Sequence, residues 1–198
     1  MFNKVILVSK TLDKNRFIDE ALNEIPLVGR SNVGKSTFLN KILKRKIARV
    51  SKTPGRTRSV DFYLIDEKFY IVDLPGFGYA KVARDLKEKW QKIMLSYFER
   101  KSIKHVIHLI DSSIPVQKVD LEVSNWISNL GFTEILLFTK TDKVKKTKLK
   151  HQLKILSESF NVPVEVEKIE FSKNFTEKQI FALQEKFYSI LGFEKFKE

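Results

Sequence analysis

Apolar and polar positions along the chain switch repeatedly between two rhythms. Glu24-Ile25-Pro26-Leu27-Val28 is short and apolar, the end of a buried strand. Thr37 to Lys44 follows, with Phe38, Leu39, Ile42 and Leu43 at helical spacing. Val60–Ile65 and Lys68–Asp73 are strand patterns around a turn at Asp66-Glu67, which predicts a hairpin. Asp85 to Arg100 reads as a helix with Leu86, Trp90, Ile93, Met94 and Tyr97 on one face. Then come a buried strand over Val106–Asp111 and a helix over Val116–Leu130 that Gly131 stops. A strand over Glu134–Thr139 precedes a helix over Lys145–Phe160 carrying Leu149, Leu153 and Leu156. A last strand over Val164–Ile169 and a helix over Thr176–Leu191, opened by a Thr176-x-x-Gln179 capping box, close the chain. This alternation predicts an α/β fold, a mostly parallel sheet with helices on both faces and ligands at the carboxyl ends of its strands. There is no long linker, repeat or low-complexity tract.

Between the first predicted strand and helix, Gly29-Arg30-Ser31-Asn32-Val33-Gly34-Lys35-Ser36 spells G-x-x-x-x-G-K-S. Strand, loop and helix are the context a phosphate loop needs. Its glycines let successive N–H groups curl inward toward phosphate oxygens, and the helix N-terminus adds partial positive charge. Lys35 would reach the terminal phosphates and the Ser36 hydroxyl would bind Mg²⁺. A coincidental glycine turn would give this pattern in roughly one chain in a hundred, given glycine's average usage. Of the seven glycines, Gly29, Gly34, Gly55, Gly76 and Gly78 all fall in this loop or in motifs of the same kind.

Asp73-Leu74-Pro75-Gly76 ends the second hairpin strand. Alone, D-x-x-G is an ordinary turn. Placed 38 residues after Lys35 at a strand end, it suits a carboxylate on Mg²⁺, directly or through water, and a glycine N–H near the γ-phosphate. Thr139-Lys140-Thr141-Asp142 follows the fifth predicted strand, where a plain polar turn would also fit. Guanine presents two adjacent donors, N1–H and the N2 amino group, which one carboxylate accepts as a pair. Adenine would face the Asp142 carboxylate with a lone pair, so such a site rejects it. The Lys140 stem can lie over the base. Phe171-Ser172-Lys173 falls where a backbone N–H could reach the guanine O6, though by itself it is a loop.

The 198 residues, 42% hydrophobic, suit one domain with a sizeable core. No apolar run has membrane-spanning length, and the N-terminus lacks the features of a secretory signal, which leads us to expect a cytoplasmic protein. With no cysteine there are no disulfides or thiolate metal sites, and the three histidines lack zinc-site spacing. The net charge of +13 points to a polyanionic partner or to a lysine-biased proteome. Clustering separates the two. Eight basic residues and no acid lie between Lys41 and Arg58, and six lysines and no acid between Lys143 and Lys154. A solvated helix face usually mixes signs, so these blocks suggest contact with a phosphate backbone.

The order GRSNVGKS, TPGRT, DLPGFGYAK, TKTD resembles the translation-factor branch of P-loop GTPases, and more narrowly the EngB (YihA or YsxC) family of bacterial ribosome-biogenesis GTP-binding proteins. The resemblance runs from about Glu24 to Leu191. It implies a six-stranded GTPase domain with one antiparallel edge hairpin over residues 24–198, preceded by an N-terminal extension, 1–23, that can add a strand. It implies GTP and GDP binding with Mg²⁺, GTP hydrolysis, and a role in assembling the large ribosomal subunit through its rRNA, tied to normal cell division and septation. Carried across by position, Gly55, Arg56, Thr57, Arg58 and Ser59 form the first switch. Thr57 would close on Mg²⁺ when the γ-phosphate is present, beside Ser36 and Asp73. The family more often has Ala at Thr141, and Ser-Ser where Ser172-Lys173 stands.

Many GTPases orient the attacking water with a Gln after the D-x-x-G glycine. Phe77 stands there and cannot hydrogen-bond water, so intrinsic hydrolysis should be slow. Asn32 occupies the position that binds K⁺ in potassium-activated relatives, or it simply shapes the loop. A partner is the other source of a missing group. The γ-phosphate would order 52–60 and 77–84, and its loss would release them. The expected chain is a monomer that binds no membrane. Competing readings are an RNA-binding module with a structural nucleotide, the G domain of a ferrous-iron transporter, and an ATPase, which Asp142 disfavours.

Overall fold

A computed structural model of the chain describes residues 2–47, 59–77, 84–160 and 168–193, with backbone alone for 84–90 and 168. Among these, seven strands form one sheet: β1 (Val5–Thr11), β2 (Asn23–Gly29), β3 (Val60–Ile65), β4 (Phe69–Asp73), β5 (His105–Asp111), β6 (Thr133–Thr139) and β7 (Lys168–Glu170). Their order is β1-β3-β4-β2-β5-β6-β7. β3 is antiparallel to both β1 and β4, and the remaining pairs are parallel. The helices are α1 (Lys35–Ile42), α2 (Arg84–Phe98), α3 (Lys118–Asn129), α4 (Lys146–Glu158) and α5 (Glu177–Ile190).

The six strands expected of the GTPase domain are β2 to β7. The N-terminal extension adds a seventh, β1, which pairs outside β3, so that β1 and not the hairpin forms the edge of the sheet. Val5-Ile6-Leu7-Val8 is long enough for an edge strand, and a register shift between Leu7 and Ser9 bends that edge. The hairpin turn is where the pattern placed it. Asp66 and Glu67 both take positive φ, 48° and 59°, the twist a two-residue hairpin needs. Asp66 is held there by the N–H groups of Asn3 (2.8 Å) and Lys4 (2.6 Å).

The core lies on both sheet faces. Ile25 and Leu27 of β2 pack with Phe38, Leu39 and Phe187 of α1 and α5. Val28, Phe62 and Val72 pack with Met94, Tyr97 and Ile127 of α2 and α3. Further along that second face, Ile110, Leu136 and Phe138 pack with Leu156 of α4. The expected helix over 37–44 begins at Lys35 and ends at Ile42, because Lys44 turns to a left-handed φ of 51°. Gly131 does stop α3, at φ 79° with its N–H on the Ser128 carbonyl. The Thr176–Gln179 capping box opens α5. Leu86 and Trp90 carry side chains outside the described residues, and the last strand is seen from Lys168 onward. Among the described residues, no helix is long and apolar enough to cross a membrane. The carboxyl ends of β2, β4, β5 and β6 therefore present Gly29, Asp73, Asp111 and Thr139 along one rim of the sheet.

Candidate nucleotide-binding site

The loop leaving β2 runs through Arg30, Ser31, Asn32 and Val33 into Gly34, the N-cap of α1. Gly34 sits at φ 112°, a conformation that other residues rarely adopt. It offers no side-chain cap and the first turn holds no acid, so the leading N–H groups of α1 stay available to an anion. Asn32 is exposed and left-handed at φ 65°, which serves loop shape. Ser36 lies one residue into the helix, half-buried.

The D-x-x-G segment is stitched onto this loop by main chain. Ser31 N donates to Phe77 O (2.9 Å), and Phe77 N donates to Gly29 O (3.2 Å). Arg30 and Phe77 form a parallel bridge, and Ser31 Oγ donates to Gly76 O at 3.4 Å. A Cβ on Gly76 would lie 3.0 Å from Ser31 N and 3.1 Å from its Cα, so the approach requires glycine. Leu74 and Pro75 are buried behind it. The Phe77 ring turns inward against His108, 5.8 Å between centroids.

The Lys35 ammonium donates to Asp73 Oδ1 at 2.7 Å, with both side chains buried. Burial pushes the Asp73 carboxyl above its usual range, and Lys35 pulls it partly back. Asp61, opposite Asp73 in the β3–β4 register, adds to the upward push. Asp61 in turn accepts from Lys10 Nζ (2.9 Å) and Ser59 Oγ (2.5 Å). Among the described residues no cluster of three His, Asp or Glu forms a metal cage. Mg²⁺ does not need one, since it uses one or two carboxylates together with substrate phosphates and water. Asp73 and Ser36 supply hard oxygens beside the loop, a donor set that fits. Gly55, Arg56, Thr57 and Arg58 lie outside the described residues, as does Gly78.

At the other end, Thr139 Oγ1 donates to Val33 O (2.6 Å) and to Ile110 O (3.1 Å), tying the T-K-T-D segment to the phosphate loop. Lys140 is left-handed at φ 58°, and its ammonium donates to Asp111 Oδ2 at 2.5 Å. Thr141 donates through N (3.4 Å) and Oγ1 (3.1 Å) to Phe171 O. Asp142 Oδ1 accepts from Ser172 Oγ at 3.2 Å, and Lys173 Nζ is 3.9 Å from its other oxygen. The two base-side motifs, 30 residues apart in sequence, are thus one structure.

Three carboxylates here went unnoticed in the sequence. Asp111 holds Lys140. Burial alone would lift its carboxyl, but Lys140 and the Ser113 hydroxyl and N–H outweigh that and hold it below the usual range. Asp120 Oδ2 lies 3.3 Å from Arg30 Nε, anchoring the loop to α3, and burial lifts its carboxyl against the pull of Arg30. Asp61 is the third. Asp111 alone left a signal, an acid at a strand's carboxyl end like Asp73.

A family model described as 50S ribosome-binding GTPase matches residues 24–140. A protein of Thermotoga maritima named probable GTP-binding protein EngB is 46% identical over 139 residues, 68% of this chain and 71% of that one. A crystal structure of a probable GTP-binding protein EngB superposes with a TM-score of 0.67 at 26% identity, covering 85% of this chain and 98% of its own. Era in complex with MgGDPNP and nucleotides 1506–1542 of 16S ribosomal RNA matches with a TM-score of 0.67 at 25% identity, over 89% of this chain and 58% of Era. The cradle at Gly29–Ser36, the Lys35–Asp73 pair and the Asp142 loop therefore sit in a P-loop GTPase fold, and the chain belongs to the EngB family of GTP-binding proteins.

Proposed function

We propose that this GTPase is a nucleotide-dependent switch in assembly of the large ribosomal subunit, slow to hydrolyse GTP on its own, and needed for normal cell division and septation. The observation that carries the switch is the stitching of Gly76 and Phe77 to Gly29 and Ser31, which couples anything felt by the phosphate loop to the segment after β4. The ribosomal partner rests on the family description, on a structural neighbour bound to rRNA, and on the acid-free basic blocks.

In this reading the N–H groups of Gly29–Ser36 hold the β- and γ-phosphates and Lys35 turns from Asp73 toward them. Ser36, Thr57 and Asp73, the last directly or through water, would hold Mg²⁺, which when bound would neutralise charge on the phosphate oxygens. Asp142 accepts the guanine N1–H and N2 amino group, the Lys140 stem covers the base, and Ser172 orients Asp142. Water attacks the γ-phosphorus, the bond to the β–γ bridging oxygen breaks, and GDP and phosphate leave. Phe77 has its ring in the core and orients no water. Asn32 would hold a K⁺ that offsets developing charge, or a group from the ribosomal particle would supply what is missing. Release of the γ-phosphate frees 52–60 and 77–84 and weakens rRNA contact. We place the protein in the cytoplasm as a monomer.

Single-turnover GTP hydrolysis with and without large-subunit precursors, in K⁺ and in Na⁺, together with co-sedimentation of the GTP-analogue and GDP forms, tests this. Faster hydrolysis on particles and preferential retention of the triphosphate form are expected. Turnover that neither particles nor K⁺ changes, with equal retention of both forms, leaves the alternative that the buried Phe77 favours, an RNA-binding module whose nucleotide is structural.

A further inference from the structure

Helix α4 differs in its charge from α2, α3 and α5. Lys143, Lys145, Lys146, Lys148, Lys150 and Lys154 are all exposed, with no acid between them. Among the described residues, Lys154 alone of these makes an ion pair, a loose one with Glu158 at 3.7 Å. A lysine-rich proteome would spread such an excess evenly. Instead α5 mixes Glu177, Lys178, Glu185 and Lys186, and α3 mixes Lys118, Asp120 and Glu122.

This arrangement works against the helix that carries it. The first turn has no acid, so Lys146 and Lys148 face the positive end of the helix dipole. Lys146, Lys150 and Lys154 follow each other at four-residue spacing, where like charges repel. A local rule broken without a packing gain marks a site with another purpose. The apolar side of α4 is already used, with Leu156 buried and Leu153 packed against the cluster of Ile110, Leu136 and Phe138. No apolar stripe is left for a bilayer.

We propose that Lys146, Lys150 and Lys154 dock on the phosphate backbone of duplex RNA, and that this contact is the same in the GTP and GDP forms. The inference rests on the RNA-binding reading above and assigns one part of that contact to one surface. The three ammonium groups advance about 6 Å per step along the helix. They are point charges with no Phe, Tyr or Trp in the helix to stack on unpaired bases, which suits a duplex read by its backbone. Nucleotide independence follows from the attachment. The helix is entered from the Thr141–Lys143 turn, fixed by bonds from Lys143 N to Lys140 O (2.9 Å) and Val144 N to Thr141 O (3.2 Å). That turn carries Asp142 and belongs to the base end, whereas the γ-phosphate acts at Gly76.

The test is fluorescence anisotropy of a labelled RNA duplex of about 16 base pairs, over a salt series, with the full chain loaded with GDP or a non-hydrolysable GTP analogue. K146Q/K150Q/K154Q is compared with K92Q/K101Q/K104Q, which removes the same charge from other exposed positions. We expect the α4 variant to bind about tenfold more weakly and to lower the log–log salt slope by about three. That loss should be equal in both nucleotide states, with GDP affinity by calorimetry unchanged and the control variant shifted about twofold or less. Equal losses in the two variants, or a loss confined to one nucleotide state, would overturn the proposal. So would loss of binding to phosphatidylserine vesicles with RNA binding intact. A wild-type chain that binds no duplex in either state overturns the RNA reading along with this one. A wild type that binds while the α4 variant matches it overturns this inference alone.

Discussion

At the phosphate end, Ser31, Phe77 and Gly29 exchange backbone bonds, and Gly76 lies so near Ser31 that no side chain fits between them. At the base end, Lys140 and Asp142 are set by side-chain partners, Asp111 and Ser172. Thr139 joins the two through its bond to the Val33 carbonyl. A main-chain cradle recognises what every nucleotide shares, and its geometry survives most side-chain changes. On the proposed reading, a carboxylate set by other side chains recognises what one base alone has. The two ends should therefore fail differently, the first in stability and binding together, the second in selectivity with the fold intact.

The largest effect belongs to Lys35→Ala. It takes the ammonium from a bound phosphate and leaves Asp73, buried beside Asp61, without its partner. Removing one member of a buried pair costs roughly 3–5 kcal/mol of stability. Calorimetry with GDP should show a loss of about a hundredfold or more, and urea unfolding should show the destabilisation. Adding Asp73→Asn should restore much of the stability and none of the GDP binding. Recovery of GDP binding in the double variant would mean that Lys35 serves the fold and not the phosphates.

Asp142→Asn comes next and inverts the pattern. Asp142 gives up one bond to Ser172 and a distant Lys173, so unfolding should move by less than about 1 kcal/mol. GDP affinity should still fall about a hundredfold, because a buried donor pair loses its acceptor, while xanthosine diphosphate, with a carbonyl in place of the amino group, should gain. Equal weakening of both nucleotides would remove Asp142 from the base. Read together, the two variants separate the ends of the site by which observable moves.

Legibility in the sequence follows the same division. The phosphate loop was readable because a tight main-chain turn needs glycine at fixed spacing, and Gly34 and Gly76 do occupy positions closed to other residues. The hairpin, the Gly131 stop and the Thr176 cap were readable because each is a local event. β1 is not local. Its pairing with β3 joins residues 49 to 60 apart, and its apolar run carries no mark of its partner. The side-chain supports were hidden for the same reason. Nothing near Asp111 or Asp120 in sequence announces Lys140 or Arg30, which reach them from other strand ends. Asp61 was lost inside an alternating strand pattern, where one acid reads as a solvent-facing position, yet it is buried against Asp73.

The smallest effect is also the one that tests the hidden supports. Asp73 and Asp111 both end strands and both face a lysine, but their carboxyls move in opposite directions, Asp73 up through burial and Asp111 down because Lys140 and Ser113 outweigh burial. A carboxyl held below its unfolded value, near 3.9, binds fewer protons in the folded state as pH falls through that region. Its contribution is complete above about pH 4 and disappears as the pH drops through the folded value. Asp111→Asn should therefore cost about 1.5 kcal/mol at pH 7, the low end for a bond to a charged group, since Asn can keep the Ser113 contact. Urea midpoints of wild type and variant should converge as the pH is lowered below about 4. A gap that stays constant with pH would mean that Asp111 contributes shape and hydrogen bonding rather than charge, and Lys140 would then be placed by its left-handed backbone alone.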